Sequence, residues 1–513
     1  MDIADNRTLY SVYTQKAKLH PDDVFVSFLK EDGDAVEWTY RQFTNNVNAT
    51  GVKLLSLGLN RGDLINLCIP NHILYLEVIL AASALAMCVV PSNPASSADE
   101  LEYILRHSGA KLSITCAQSH KTLTKIINEG RIEVILDEEL QRSIELTSSD
   151  ELKVVGLPED VVELLYTSGT TSRPKGVMLT NRHLIYGAES FRAATGLRDS
   201  DHHFISLPLF HAAAQCHALW PSLVAGCRIT IVSRFSGSRF FLQVANSKCT
   251  MAALFGAPIR ILLSQPPGSA DWPHRLRNVT FAQNLTPEQQ NEWLRRFKAP
   301  LQQLWGMTET AGLPIMSPLV GERRLAAMGR PILGYEIKII DESGGEVRTG
   351  ECGQLIVKGT PGRSIMKGYY NDPEASGRAI REMPDGIWLF TGDTVKTDAD
   401  GYIYFVDREK DLIKRGGENI SSSEIESAIA RLPQVSDVAV IGISDEIKDE
   451  SIVAFVVLKA NESLSEDALR DHCGQLLSHF KVPQRFVFVD SLPRTSVGKI
   501  QKNVLREHLA AIR

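Results

Sequence analysis

Cysteine is sparse and scattered. Eight residues, Cys68, Cys88, Cys116, Cys216, Cys227, Cys249, Cys352 and Cys473, contain no C-x-x-C pair. That spacing excludes a cysteine-paired zinc site and a secreted disulfide framework, and it fits reduced thiols in a cytoplasmic chain. Long apolar runs are also missing. The longest uncharged one, Val78 to Val90, ends at Pro91, well short of the roughly 20 residues that a membrane-spanning helix needs. The first residues, Met1-Asp2-Ile3-Ala4-Asp5, are acidic and carry no apolar signal region. The last four, Ala510-Ala511-Ile512-Arg513, are not a peroxisomal address. No long basic run occurs, and 55 basic against 61 acidic residues leave a net charge of −6. That balance argues against a nucleic-acid partner. No G-x-G-x-x-G follows a strand pattern and no G-x-S-x-G occurs, which counts against a dinucleotide-binding fold and a serine hydrolase. No internal repeat or low-complexity segment is present.

The 513 residues, 43% of them hydrophobic, suffice for two or three domains with large cores. Up to about residue 150, helical patterns (Tyr40 to Leu57, His72 to Ala86) alternate with short apolar strand patterns (Leu64 to Ile69, Lys111 to Thr115). Such alternation predicts doubly wound parallel sheets. From about Gly329 to Arg408 the pattern changes to short β segments with frequent turns, which predicts a small barrel-like subdomain. The last hundred residues mix helix and strand signals. Ser423 with Glu426 reads as a capping box, and Ser465 as an N-cap. Glu409-Lys410-Asp411 marks the expected boundary, giving domains 1–409 (with the β subdomain at about 330–409) and 410–513.

One stretch stands out: Tyr166-Thr167-Ser168-Gly169-Thr170-Thr171-Ser172-Arg173-Pro174-Lys175-Gly176. It follows the β-prone run Val161 to Tyr166 and precedes a helix for which Thr180 is the expected N-cap. Backbone N–H groups and hydroxyls in such a turn can wrap phosphate oxygens, and Lys175 adds a cation. Ser, Thr, Gly and Pro are also ordinary loop residues. The stretch is not a Walker A motif, because Gly176 rather than Ser or Thr follows Lys175.

Further along comes Leu207-Pro208-Leu209-Phe210-His211, where a helix is expected to place His211, Gln215 and Ala218 on one face. Then comes Trp305-Gly306-Met307-Thr308-Glu309-Thr310. Asp393 follows a Gly turn, and a carboxylate there can accept both hydroxyl protons of a ribose cis-diol. Arg408 precedes the expected boundary, and Lys499 stands on a Gly-containing turn near the C-terminus. Taken singly, each is more often a solvated or structural residue.

Together, in this order, the stretches resemble the adenylate-forming superfamily, which includes acyl-CoA synthetases, luciferases and peptide-synthetase adenylation domains. Within it the chain looks most similar to crotonobetaine/carnitine–CoA ligases. Thr167 to Val177, Gln265-Pro266-Pro267, Phe405 to Arg408, Ile413 to Ser421 and Asp445 to Glu450 carry that likeness. Oxalate–CoA ligases also carry the Ser172-Arg173 version of the loop. The resemblance implies an acyl-CoA synthetase-like α/β fold, with a large N-terminal domain and a mobile α+β C-terminal domain hinged at Lys410. It implies ATP, Mg²⁺ and coenzyme A acting with a small-molecule carboxylate, and allows a homodimer. By that likeness Thr167, Ser168, Gly169, Thr170, Thr171 and Lys175 hold the β- and γ-phosphates, and Trp305 stacks on adenine in place of the usual Tyr. Thr308 binds the α-phosphate, Glu309 ligates Mg²⁺, and Asp393 and Arg408 bind the ribose. His211 borders the carboxylate pocket, Lys499 bridges carboxylate and α-phosphate, and Lys414, Gly416 and Gly417 serve the CoA step. The usual small-residue adenine motif is replaced by Ala282-Gln283-Asn284-Leu285, so no adenine contact is carried over there. A carrier protein as acyl acceptor, and oxalate or a fatty acid as substrate, are the alternatives.

Overall fold

The computed structural model describes the chain apart from residues 1–2, 32, 127–131, 168–172, 267–272, 284, 409–410, 416–417, 446–448, 495–499 and 512–513, and gives the backbone alone at 418–419, 449 and 510–511. The chain forms two compact units. The first takes in Met1–Thr167, Pro174–Ile337 and Val357–Leu389; the second takes in Lys338–Ile356 and Phe390–Arg513.

The first unit holds two large sheets. One is six-stranded, in the order Glu133–Leu136, Leu112–Thr115, Leu64–Cys68, Cys88–Pro91, Val161–Thr167, Lys175–Thr180. Its first five strands are parallel, and the last turns back antiparallel on Val161–Thr167. The other is nine-stranded, and its run from Leu301–Trp305 through Asn278–Ala282, Met251–Phe255, His202–Ile205 and Arg228–Val232 to Val24–Leu29 is parallel throughout. The expected doubly wound architecture is therefore present. Parallel strands are covered on both faces, so they need continuous apolar runs. Met251–Phe255 is buried at every position. The long apolar run noted in the sequence is the helix Ile73–Leu85, all of it buried, followed by the buried strand Cys88–Pro91. His72 caps the helix start through Nδ1 on Leu74 N–H at 3.2 Å, and Ala86 closes it in the left-handed region. In the region expected to form short β segments, the strands Glu336–Ile340, Cys352–Lys358, Gly386–Thr397 and Ile403–Arg408 all belong to one five-stranded sheet.

In the second unit the long hairpin of Val435–Asp445 and Asp449–Leu458 has period-two sorting. Val438 and Val440 face Ile425, Ile429, Leu469 and Cys473 of two helices. Ala439 and Ile441 face Leu505 and Leu509 of the C-terminal helix. Ser465 caps its helix as expected, accepting from Ala468 N–H at 3.2 Å.

The other expected cap is two serines off. The helix Ser422–Ile429 is capped by Ser421, whose Oγ accepts from Glu424 N–H at 3.1 Å. Three consecutive serines offer equivalent caps, and a residue upstream chooses among them. Asp407 Oδ2 accepts from Ser422 N–H at 2.6 Å and Ser422 Oγ–H at 2.7 Å. Glu426, expected to close the box, instead accepts from Val440 N–H and pairs with the buried Lys502 at 2.8 Å.

Candidate active site

In the first unit the two ends of the Tyr166-to-Gly176 stretch pair in a hairpin. Thr167 pairs with Lys175 and Tyr166 with Gly176 across it. Thr167 Oγ1 lies 3.5 Å from Lys175 O. A Cβ at Gly176 would stand 3.2 Å from the Tyr166 ring, so glycine lets the two strands close. Thr180 caps the following helix, accepting from His183 N–H at 3.1 Å, as the sequence predicts. Ser168, Gly169, Thr170 and Thr171 lie outside the described residues.

Glu309 stands in the single turn Thr308–Thr310, just after the strand Leu301–Trp305. Trp305 and Glu309 are buried, and Thr308 is half-buried. Packing on two sides fixes this turn. The buried His183 ring places Nε2 2.7 Å from Thr310 O, and burial pushes the His183 pKa down to about 4, so the imidazole is neutral and can donate there. Gly187 brings its helix against the turn: a Cβ there would meet Ala311 O at 2.6 Å. Met366 N–H donates to Glu309 O at 2.7 Å, and the Tyr369 hydroxyl donates to Glu309 Oε1 at 2.8 Å. Lys175 Nζ stands 5.0 Å from the centroid of the same Tyr369 ring. A carboxylate and an ammonium from distant parts of the sequence thus share one aromatic side chain.

His211 does not start a regular helix. Its Nδ1 caps the short turn Ala212–Ala214, accepting from Ala213 N–H at 3.1 Å, and Gln215–Leu219 then forms a π-turn. Pro221 explains this: it has no N–H for the His217 carbonyl, and its ring would crowd that carbonyl in an α-helix. The expected α-helical face of His211, Gln215 and Ala218 is therefore broken by the wider turn. His211 packs edge-on to Phe255 at 5.8 Å. Gln215 turns instead to Glu163, donating to Oε1 at 3.0 Å, and accepts from Trp220 Nε1–H at 3.0 Å.

Glu163 lies on the strand that leads into the loop and is fully buried. Its Oε2 meets no donor among the described residues. Burial pushes its pKa up to about 8, against the lowering effect of Gln215. The folded state therefore binds this proton more tightly than the unfolded chain. The stability it brings is full below the ordinary carboxylate range and is lost as pH rises through about 8. Linkage gives about 1.4 kcal/mol per pH unit for one such proton. The melting temperature of Glu163→Gln, relative to the parent, should rise steadily from pH 5 to pH 8. A difference that is constant with pH would show that Glu163 is ionised throughout.

The second unit brings Asp393 and Arg408 together. They are partners across Gly386–Thr397 and Ile403–Arg408, with Arg408 Nε 3.4 Å from Asp393 Oδ1. Asp393 is buried, and its own N–H is held by Thr391 Oγ1 at 3.1 Å. Lys414 is exposed, with its N–H on Glu450 Oε2 at 2.7 Å. Lys410, Gly416, Gly417 and Lys499 lie outside the described residues.

Sequence reasoning missed Tyr369, His183 and Phe255. Tyr369 is 60 residues from Glu309, so no local spacing links them. The Gly368-Tyr369-Tyr370 triplet was the available signal.

Comparison with known proteins adds to this geometry. A family model described as AMP-binding enzyme matches residues 13–370, and one for the AMP-binding enzyme C-terminal domain matches residues 424–499. A crotonobetaine/carnitine–CoA ligase of Salmonella agona is 33% identical over 99% of this chain and 100% of its own length. Among solved structures, ATP-bound MatB from Rhodopseudomonas palustris is 26% identical with a TM-score of 0.89, covering 99% of each chain. The anthranilate–CoA ligase AuaEII in complex with anthranoyl-AMP is 25% identical with a TM-score of 0.91, covering 100% of each chain. Among the described residues, no helix is long and apolar enough to cross a membrane. A chain that matches throughout its length, and that gathers the loop lysine and the turn carboxylate on one tyrosine, belongs to the AMP-binding enzyme family and is an AMP-forming acid–thiol ligase.

Proposed function

We propose that the chain activates a small or medium-chain carboxylic acid that carries a quaternary ammonium, of the carnitine or crotonobetaine type, and transfers its acyl group to coenzyme A. The observation that carries the ligase reading is the shared Tyr369, which holds Glu309 by a 2.8 Å hydrogen bond beneath Lys175. The acid class rests on the full-length relatives named crotonobetaine/carnitine–CoA ligase. A quaternary ammonium favours aromatic walls. Phe255, edge-on to His211, could offer such a wall. Trp220 is less suited, being fully buried with its N–H taken by Gln215.

A carboxylate is a poor acyl donor to a thiol, because its oxygen is a poor leaving group. In the first step a carboxylate oxygen attacks the α-phosphorus of ATP, the Pα–O bond to the β-phosphate breaks, and pyrophosphate leaves. In the second the CoA sulfur attacks the acyl carbon, the acyl–oxygen bond breaks, and AMP leaves while the thiol proton passes to solvent. Positioning and charge compensation supply most of the catalysis in the first step. Thr167 and Lys175, with Ser168, Gly169, Thr170 and Thr171, hold the β- and γ-phosphates. Thr308 meets the α-phosphate, Trp305 the adenine, and Asp393 with Arg408 the ribose. His211 borders the acid, and Lys499 supplies a cation shared by carboxylate and α-phosphate. In the second step Lys414, Gly416 and Gly417 line the pantetheine path once the region after Lys410 has turned.

Glu309 fits Mg²⁺. A buried carboxylate is a hard oxygen donor, and Mg²⁺ is commonly held by one or two carboxylates plus substrate phosphates. Such an ion would neutralise the phosphate charge that develops in the first step. The protein's part is to fix the Glu309 oxygens.

The test is a panel of acids with ATP, Mg²⁺ and CoA, read as AMP release. Crotonobetaine and carnitine should give the highest kcat/KM, with AMP and pyrophosphate as products. A neutral acid of equal length used better would overturn the acid class. Release of ADP and phosphate would overturn the adenylate route. Dependence on a carrier protein in place of CoA would favour the alternative acceptor.

A further inference from the structure

We propose that Tyr369 is a positioning residue that couples the carboxylate of Glu309 to the ammonium of Lys175, so that metal and phosphate are bound in register. The inference rests on the metal and phosphate roles proposed above for those two residues. Three observations carry it. The first is the hydroxyl contact: Tyr369 donates to Glu309 Oε1 at 2.8 Å. A donated hydrogen bond takes one lone-pair direction of a carboxylate and sets the plane in which the rest can ligate. The second is the ring contact: Lys175 Nζ stands 5.0 Å from the ring centroid, within the range in which a cation is drawn to an aromatic face. One rigid side chain thus gives an anion a donor and a cation a π-face.

The third observation is that Tyr369 is itself held firmly. Its backbone bridges Val177, two residues after Lys175. Tyr370 N–H donates to Gly176 O at 2.8 Å, and Met178 N–H to Gly368 O at 3.0 Å. Tyr369 N–H donates to Ser376 Oγ at 2.8 Å. Gly368 has φ +146°, and a Cβ there would press Ser376 Oγ at 3.1 Å and Met178 Cε at 3.3 Å. The segment is therefore stitched to the strand that carries Lys175, while Met366 N–H ties it to the Glu309 carbonyl at 2.7 Å. Both functional groups therefore rest against one anchored side chain. None of these contacts could be read from local sequence spacing.

The test uses Tyr369→Phe, Tyr369→Leu, Glu309→Gln and the double variant Tyr369→Phe/Glu309→Gln. Each is checked for an unchanged circular dichroism spectrum. Mn²⁺ replaces Mg²⁺, and its binding to the enzyme–ATP complex is followed by electron paramagnetic resonance. ATP binding without metal is measured by calorimetry. Tyr369→Phe keeps the ring and loses the hydroxyl, so Mn²⁺ affinity should fall about tenfold while metal-free ATP affinity holds. Tyr369→Leu should weaken both. Glu309→Gln should weaken Mn²⁺ at least as much as Tyr369→Phe, and the double variant no more than Glu309→Gln alone, because the hydroxyl acts through that carboxylate. If Glu309→Gln weakens Mn²⁺ but Tyr369→Phe does not, the coupling is wrong and the metal role of Glu309 stands. Additive losses in the double variant would likewise overturn the coupling. If Glu309→Gln leaves Mn²⁺ affinity unchanged, the metal reading itself fails, whatever Tyr369 does. Should Tyr369→Phe unfold, Tyr369 replaced by 3-fluorotyrosine keeps the shape and must still shift the Mn²⁺ affinity.

Discussion

Lys499→Ala should abolish adenylate formation and largely spare thioester formation from a pre-made acyl-adenylate. In the proposed first step one cation serves both the entering carboxylate and the α-phosphate, where negative charge converges. Preorganised charge of this kind is worth about 10²–10³-fold in rate when a single donor is removed. The second step has no need of that cation, because the acyl carbon already bears AMP. Gly417→Leu should do the reverse. A branched side chain at a position where the pantetheine arm is proposed to pass along the backbone would obstruct the thiol and leave adenylation intact. Lys410→Pro, which fixes φ near −65° and deletes an N–H at the proposed hinge, should also spare the adenylate and block transfer. Rapid-quench measurement of each half-reaction decides the matter. Equal impairment of both steps by Lys499→Ala, or a larger effect of Gly417→Leu on adenylation, would contradict the proposed division of labour.

The second large effect is expected at Asp393. Asp393→Ala should weaken ATP binding on the order of 10²-fold or more. A carboxylate that accepts from two ribose hydroxyls makes two charge-assisted hydrogen bonds, each about 1.5–3 kcal/mol. The loss also leaves Arg408, 3.4 Å from Asp393 Oδ1, without that counter-charge. Asp393 is buried, and Thr391 holds its backbone. Asp393→Asn therefore keeps the shape and should lose most of the affinity as well. Calorimetric titration of ATP into the enzyme measures this directly. An affinity equal to that of the parent would remove Asp393 from the nucleotide site.

The parts of this fold that were legible in the sequence are those set by local chemistry. The apolar run from Val78 read as buried helix running into strand because thirteen residues cannot cross a bilayer but can be covered on all sides, as in Ile73–Leu85 and Cys88–Pro91. Thr180 and Ser465 were legible as caps because each is the hydroxyl residue placed just before its helix. Ser423 was not the cap because three adjacent serines are locally equivalent, and the choice falls to Asp407, 15 residues upstream. The helical face of His211, Gln215 and Ala218 failed for a reason that was visible in principle. Pro221 stands four residues after His217, and a π-turn absorbs the missing hydrogen bond. The candidate site divides in the same way. Lys175, Glu309, Asp393 and Arg408 were recognisable from motif likeness. Tyr369, which touches Lys175 and Glu309, and His183 and Gly187, which pack on the Glu309 turn, act across tens of residues, and no periodicity marks them.

In the proposed mechanism the acid is activated by attack of its own oxygen on the α-phosphate. Isotope transfer tests it most directly. The preferred acid, labelled with ¹⁸O in both carboxylate oxygens, is turned over with unlabelled ATP and CoA, and the nucleotide product is analysed by mass spectrometry. Attack at the α-phosphorus followed by thiolysis leaves one carboxylate oxygen on the nucleotide, so AMP should carry one ¹⁸O and pyrophosphate none. Unlabelled AMP, or ADP with the label in inorganic phosphate, would contradict the adenylate mechanism.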